Sequence, residues 1–229
     1  MIPSTELLAL ARGPALWASL AVLLGGSLWR VAAILRLGAE ADLSEPRSDR
    51  LVAGALRGIL ARMLPHPSLR RRSRLGAWNA YAYHIGLAII VFGYVPHIRF
   101  AERLTGLAWP ALPEPVVYSA VGVTFVSLFM ALLERLNDPV RRLLSSFDDY
   151  FSWGVLLAPL LTGMIVLGQS YAPGAAPPAT VEAGRLALHL FSVELLFVCL
   201  PFGKLGHAFL VFASRAASGA ALRRRGADL

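Results

Sequence analysis

The chain has 229 residues, 56% of them hydrophobic, and a mean hydropathy of +0.60. That composition, gathered into several long apolar runs, excludes an ordinary soluble domain and indicates an all-α integral membrane protein. A single cysteine, Cys199, excludes an internal disulfide, a four-cysteine zinc or iron–sulfur site and CxxCH haem attachment. The net charge of +8 comes from arginines clustered between the apolar runs, which points to membrane topology and not to nucleic acid.

In chain order, the first span is predicted over 14–35. The leading MIPSTELLALARGP lacks a basic n-region and an A-x-A cleavage signal, so the first span is read as retained. Loop 37–76 follows, with SEPRSDR at 44–50 and RRRSR at 70–74. Within it Leu51, Ala55, Leu56, Ile59, Leu60, Met63 and Leu64 recur at helical spacing, with Arg50, Arg57 and Arg62 between them. This predicts a short amphipathic helix lying on the cytoplasmic membrane surface. His66 stands between Pro65 and Pro67, which deny it a regular helical ligand position, so it reads as a loop residue. The second span is predicted over 77–97 and the third over 115–133. The polar loop ERLNDPVRRLLSSFDDY precedes a fourth span over 151–167, which the Pro- and Gly-rich YAPGAAPPATVEAG ends. The fifth span is predicted over 185–212, and the tail ends in RRR at 223–225.

Arginines orient the five spans. Loop 37–76 holds Arg47, Arg50, Arg57, Arg62, Arg70, Arg71, Arg72 and Arg74. Loop 134–150 holds Arg135, Arg141 and Arg142, and the tail holds Arg215, Arg223, Arg224 and Arg225. The intervening loops hold only Arg99 and Arg103, with Arg185 at the start of the last span. The positive-inside rule makes the first set cytoplasmic, so the N-terminus is outside and the C-terminus inside. Residues 1–229 then read as one multi-pass domain, a five-helix bundle in the cytoplasmic (inner) membrane.

The last span carries the chemistry. Leu188–His207, LHLFSVELLFVCLPFGKLGH, contains His189, Glu194, Lys204 and His207 at membrane depth, where ionisable groups are costly and read as functional. His189 and His207 are 18 residues apart, five whole turns of an ideal helix, roughly 27 Å along one face. The second span carries His84 in YHIG and His97 in VPHI. Because the two spans run in opposite senses, the depths pair His84 with His207 and His97 with His189. Neutral imidazole suits iron, and a haem clamped by two imidazoles transfers electrons without an open position. Ala80, Gly93 and Gly203 each precede a histidine by four residues and leave room on its helix face. The 13 residues from His84 to His97 turn an ideal helix by about 220°, so an unbroken helix would not point both the same way; a bend or end at Pro96 would re-aim His97.

LH at 188–189 followed by PFGKLGH at 201–207, together with the surroundings of His84, resembles the cytochrome b (gamma) subunit of respiratory nitrate reductases. It also resembles the related membrane cytochromes of sulfite-reduction and heterodisulfide-reductase complexes. The resemblance implies two b haems held by His84, His97, His189 and His207, and a basic residue at Lys204. That family has the same five spans and topology. Its second ligand follows a glycine more closely than His97 does; here Tyr94 occupies that place. A lysine associated with quinol binding after its second span has no counterpart in this chain, where Lys204 is the only lysine. Haem propionates call for cations, for which Arg99, Arg103 and Arg185 are available outside and Arg141, Arg142 and Lys204 inside.

Two functions follow. The first is a dihaem electron-transfer and anchoring subunit joining the quinol/quinone pool to a cytoplasmic iron–sulfur subunit, and through it to a catalytic subunit, in a hetero-oligomer. The chain itself carries no catalytic residue. Its quinone site is expected on the outer half, near Arg99, Arg103, Trp109, Glu114, Arg185 and Glu194. The second is a transporter or channel with a histidine and glutamate site for protons or a metal.

Overall fold

The structure, a computed structural model, describes residues 2–36, 43–63, 70–170 and 182–227. His66 and the Pro- and Gly-rich loop 171–181 lie outside them. The described residues form ten α-helices and one 3-10 turn, with no strand among them. Five helical stretches are long and apolar enough to cross a membrane: Ser4–Arg36, Leu75–Gly93, Glu114–Asn137, Phe147–Leu167 and Lys204–Arg224. The chain divides into two compact units, Met1–Arg70 with Thr162–Leu229, and Arg71–Leu161.

In the first unit, α1 (Ser4–Arg12) and α2 (Pro14–Arg36) are separated by Gly13, whose φ of −115° and ψ of −106° break the helix. Pro14 opens α2, where a missing N–H costs nothing. α1 adds a helix to the one predicted over 14–35. α9 (Ala183–Cys199) packs along both. Gly184 lies beside Ser4, and Gly26 lies beside Pro201 and Phe202, so α9 runs in the same direction as α1 and α2.

α3 (Leu51–Ala61) is the short helix predicted in the first long loop. Its buried face is Gly54 and Gly58, and α10 (His207–Arg224) packs on that face antiparallel to it. Gly54 faces Gly219 and Arg223, and Gly58 faces Arg215 and Gly219. Val52, Leu56 and Leu60 point the other way and are exposed. The ends are tied as well: Arg47 N–H donates to the Arg224 carbonyl at 2.8 Å, and Arg224 donates to the Ser44 carbonyl at 3.0 Å.

The second unit holds α4 (Arg70–Gly93), α5 (Val95–Thr105), α6 (Glu114–Asn137), α7 (Pro139–Leu143) and the first part of α8 (Phe147–Ser170). α4 and α6 lie antiparallel. Asn79 donates to the Ser127 carbonyl at 2.9 Å, and further along Gly86 abuts Thr124 and Ala120. α6 and α8 are joined by Trp153, which donates to the Leu128 carbonyl at 2.9 Å. The polar corner between them is built from charge. Asp138 caps α7 by accepting from Val140 and Arg141 N–H. Asp149, with its side chain 4% exposed, accepts from Arg135 at 2.9 Å and from Ser146 N–H at 2.8 Å.

Two predicted spans are interrupted. The second ends at Gly93; Tyr94 is extended (φ −86°, ψ 127°), and α5 restarts the chain with Pro96 in its first turn. The fifth is not one helix over 185–212. α9 stops at Cys199, Gly203 is extended (φ −111°, ψ −158°), Lys204–Gly206 form a 3-10 turn, and α10 begins at His207. The physical reason is Pro201, which has no N–H for the Phe197 carbonyl and whose ring crowds the preceding turn. His189 and His207 therefore sit on different helices, and the relation of five whole turns does not hold.

Candidate functional site

Each of the four histidines is held through Nδ1. In α4, His84 Nδ1 lies 2.7 Å from the Ala80 carbonyl one turn earlier. In the break after α9, His207 Nδ1 lies 2.8 Å from the Lys204 carbonyl, within the 3-10 turn. His97 Nδ1 reaches back from α5 to the Ile90 carbonyl at 2.8 Å. A carbonyl oxygen only accepts, so Nδ1 carries the proton in all three, and the lone pair lies on Nε2.

The His97 position has a clear local cause. A helix end leaves its last carbonyls without partners, and the end of α4 is capped from three directions. His97 takes Ile90, Trp109 Nε1 donates to the Phe92 carbonyl at 2.6 Å, and Leu112 N–H donates to the Gly93 carbonyl at 2.9 Å. Leu112 also fills the space beside Gly93; an added Cβ there would lie 2.7 Å from Leu112 Cδ1. The room expected beside Gly93 for a flat macrocycle is thus taken by Leu112. Burial pushes the His97 imidazole below its usual range, against the pull of the Ile90 hydrogen bond. This favours the neutral form that binds metals.

His189 differs from the other three. Its Nδ1 lies 3.1 Å from Thr162 Oγ1 on α8. Thr162 Oγ1 is 2.8 Å from Ser192 Oγ, and Ser192 donates to the His189 carbonyl at 2.6 Å. Gly163 flanks the ring; an added Cβ there would lie 3.3 Å from His189 Cε1. Thr162, Gly163 and Ser192 were missed in the sequence. Their signal is slight: one threonine in the apolar fourth span, and one serine a turn beyond a histidine.

The remaining predicted site residues are dispersed. Arg99 and Arg103 are exposed on α5. Arg185 pairs with Glu182 at 2.9 Å at the start of α9. Arg141 pairs with Glu134 at 2.6 Å. Lys204 is exposed in the 3-10 turn. Glu194 is 6% exposed, and its Oε1 has no hydrogen-bond partner among the described residues. It stands five residues from His189, about 140° around α9, so the two side chains leave the helix in different directions. Of the histidines, His84 and His97 belong to one compact unit and His189 and His207 to the other. Among the described residues no three of His, Cys, Asp and Glu gather closely enough to hold a metal ion together.

All-helical structure with five helices long and apolar enough to cross a membrane is the make-up of a multi-pass membrane protein. No protein-family model matches the chain, and no solved structure matches it. It is 30% identical over 230 residues to a protein of Nitratidesulfovibrio vulgaris strain Hildenborough, with 96% of each chain covered. The chain belongs to the same family as that protein, whose name, "Protein", states no activity.

Proposed function

We propose that the chain is the dihaem b-type anchor subunit of a respiratory oxidoreductase, passing electrons between the quinol/quinone pool and a cytoplasmic iron–sulfur subunit. The observation that carries this reading is the shared tautomer. His84, His97 and His207 present Nδ1–H to a backbone carbonyl, which leaves the lone pair on Nε2 as metal binding through Nε2 requires, and His189 Nδ1 lies 3.1 Å from the Thr162 hydroxyl. Four imidazoles suit two bis-histidine irons, paired His84 with His207 and His97 with His189 by expected depth. Bound haem supplies one-electron redox chemistry. The chain's residues would hold and orient it, and Arg99, Arg103, Arg185, Arg141, Arg142 and Lys204 would supply cations for its propionates. The resemblance around LH and PFGKLGH supports the same assignment.

We read α9 as the fifth crossing. It runs in the same sense as α1 and α2, as a fifth alternating span must. Its 17 residues reach about 26 Å, close to the hydrocarbon thickness. α10 then stays on the cytoplasmic side with α3, an arginine-rich face on which the iron–sulfur subunit docks. If quinol is oxidised on the outer half, protons would be released outside while electrons move inward. That geometry conserves about 2.3 kcal/mol per charge per 100 mV.

Quinol-driven haem reduction in membrane vesicles tests the outer site. Arg99→Gln and Arg185→Gln are expected to slow it with both haems retained, and unchanged kinetics in both would move the site elsewhere. Glu194→Gln separates a structural hydrogen-bonding role, with unchanged rate and pH dependence, from a proton-accepting one.

The second reading, a transporter or channel, is favoured by one observation: the buried Glu194 carboxyl, one oxygen of which has no hydrogen-bond partner among the described residues. Haem content separates the two readings.

A further inference from the structure

We propose that Thr162, backed by Ser192, is the positioning residue of His189: it accepts the Nδ1 proton, fixes the tautomer and ring plane, and tunes how strongly Nε2 donates. The redox consequence rests on the haem reading; the positioning itself does not.

His84, His97 and His207 give Nδ1–H to backbone carbonyls, which no side-chain substitution removes. His189 Nδ1 instead faces a hydroxyl on another helix, 27 residues away in the chain. A hydroxyl both donates and accepts, so its direction must be set by what lies behind it. Ser192 supplies that setting. It contacts Thr162 Oγ1 at 2.8 Å and anchors itself on the His189 carbonyl at 2.6 Å. The ring, the hydroxyl pair and the carbonyl thus close a loop that joins α8 to the ligand's own helical turn. Gly163 completes the seat, because a side chain there would press on the imidazole edge 3.3 Å from Cε1. An acceptor on Nδ1 makes Nε2 more basic, and for an iron ligand this favours the oxidised metal. Without the acceptor the reduced state gains.

The test uses the full-length protein as purified, reduced with dithionite, which leaves a bis-histidine haem diamagnetic. In ¹⁵N-histidine NMR, His189 Nδ1 should carry a hydrogen in the wild type, with a signal that moves in Thr162→Val and returns in Thr162→Ser. Ser192→Ala should move it less, in the same direction, and serves if Thr162→Val fails to fold. In potentiometric titration, Thr162→Val should raise one haem midpoint and leave the other. The ratio of reduced to oxidised haem at the wild-type midpoint should rise at least threefold, about 28 mV at 59 mV per tenfold change for one electron. A wild-type His189 Nδ1 without a hydrogen, or two unmoved midpoints in a haem-loaded Thr162→Val protein, overturns the proposal. Protein that contains no haem but whose Nδ1 signal responds to Thr162 overturns the haem reading and leaves the positioning role standing.

Discussion

Replacement of His207 by alanine is expected to lower the haem content from about two per chain to one and to stop electron delivery to the cytoplasmic partner. His207 opens α10 just after the break at Pro201, with its ring fixed on the Lys204 carbonyl. No other side chain in this turn is a ligand for iron. Cys199 lies back in α9. One imidazole would not hold a bis-histidine haem, so loss of His207 would leave its proposed partner, His84, unable to retain that group alone. The outer haem is expected to remain and to be reduced by quinol. The check is haem per protein in the purified His207→Ala variant, with reduction of the iron–sulfur subunit followed in membranes. Retention of both haems with normal spectra would break the His84–His207 pairing.

Gly219→Leu is expected to separate α10 from α3. A Cβ on Gly219 would meet the Gly54 carbonyl, and would lie 2.8 Å from Gly58 Cα and 3.1 Å from Gly58 N. All three obstacles are backbone, so no rotamer change relieves them, and the helices must move apart. Overpacking of this kind costs about 1–3 kcal/mol, and a leucine at a backbone contact belongs at the upper end. Small residues at such crossings let helices approach closely. Thermal unfolding in detergent should show a clear loss of stability, and protease should cut residues 43–63 faster. Gly122→Ala on α6 is the control, since a Cβ there meets nothing within 4 Å. A Gly219→Leu protein as stable and protease-resistant as this control would mean that α3 and α10 do not pack through their glycines.

Apolar runs and prolines made much of this architecture legible. The span over 14–35 is α2, those over 115–133 and 151–167 fall inside α6 and α8, and the spacing of Leu56, Ile59 and Leu60 announced α3. Hydrophobic pattern reports which stretches leave water, and it continues unchanged through a helix break. Hence the spans were drawn through Gly93, with only a bend or end offered at Pro96, and through Cys199, with no break read from Pro201. What ends α4 cleanly is supplied from beyond it: Trp109 and Leu112 cap carbonyls 17 and 19 residues earlier. The same limit hid Thr162 and the meeting of Gly54 and Gly58 with Gly219. Those contacts join residues distant in the chain, where periodicity carries no information. The histidines themselves were legible because an imidazole in an apolar run is costly. That His84, His97 and His207 rest Nδ1 on backbone carbonyls, and His189 beside the Thr162 hydroxyl, was not.

The proposed binding of two haems by four imidazoles can be checked with a dithionite-reduced minus oxidised visible spectrum of the purified chain, read with a pyridine haemochrome assay for haem per protein. The expected result is b-type α-bands at about two haems per chain and low-spin bis-histidine signals in the oxidised state. A correctly folded protein without haem, purified from cells supplied with haem, would contradict it.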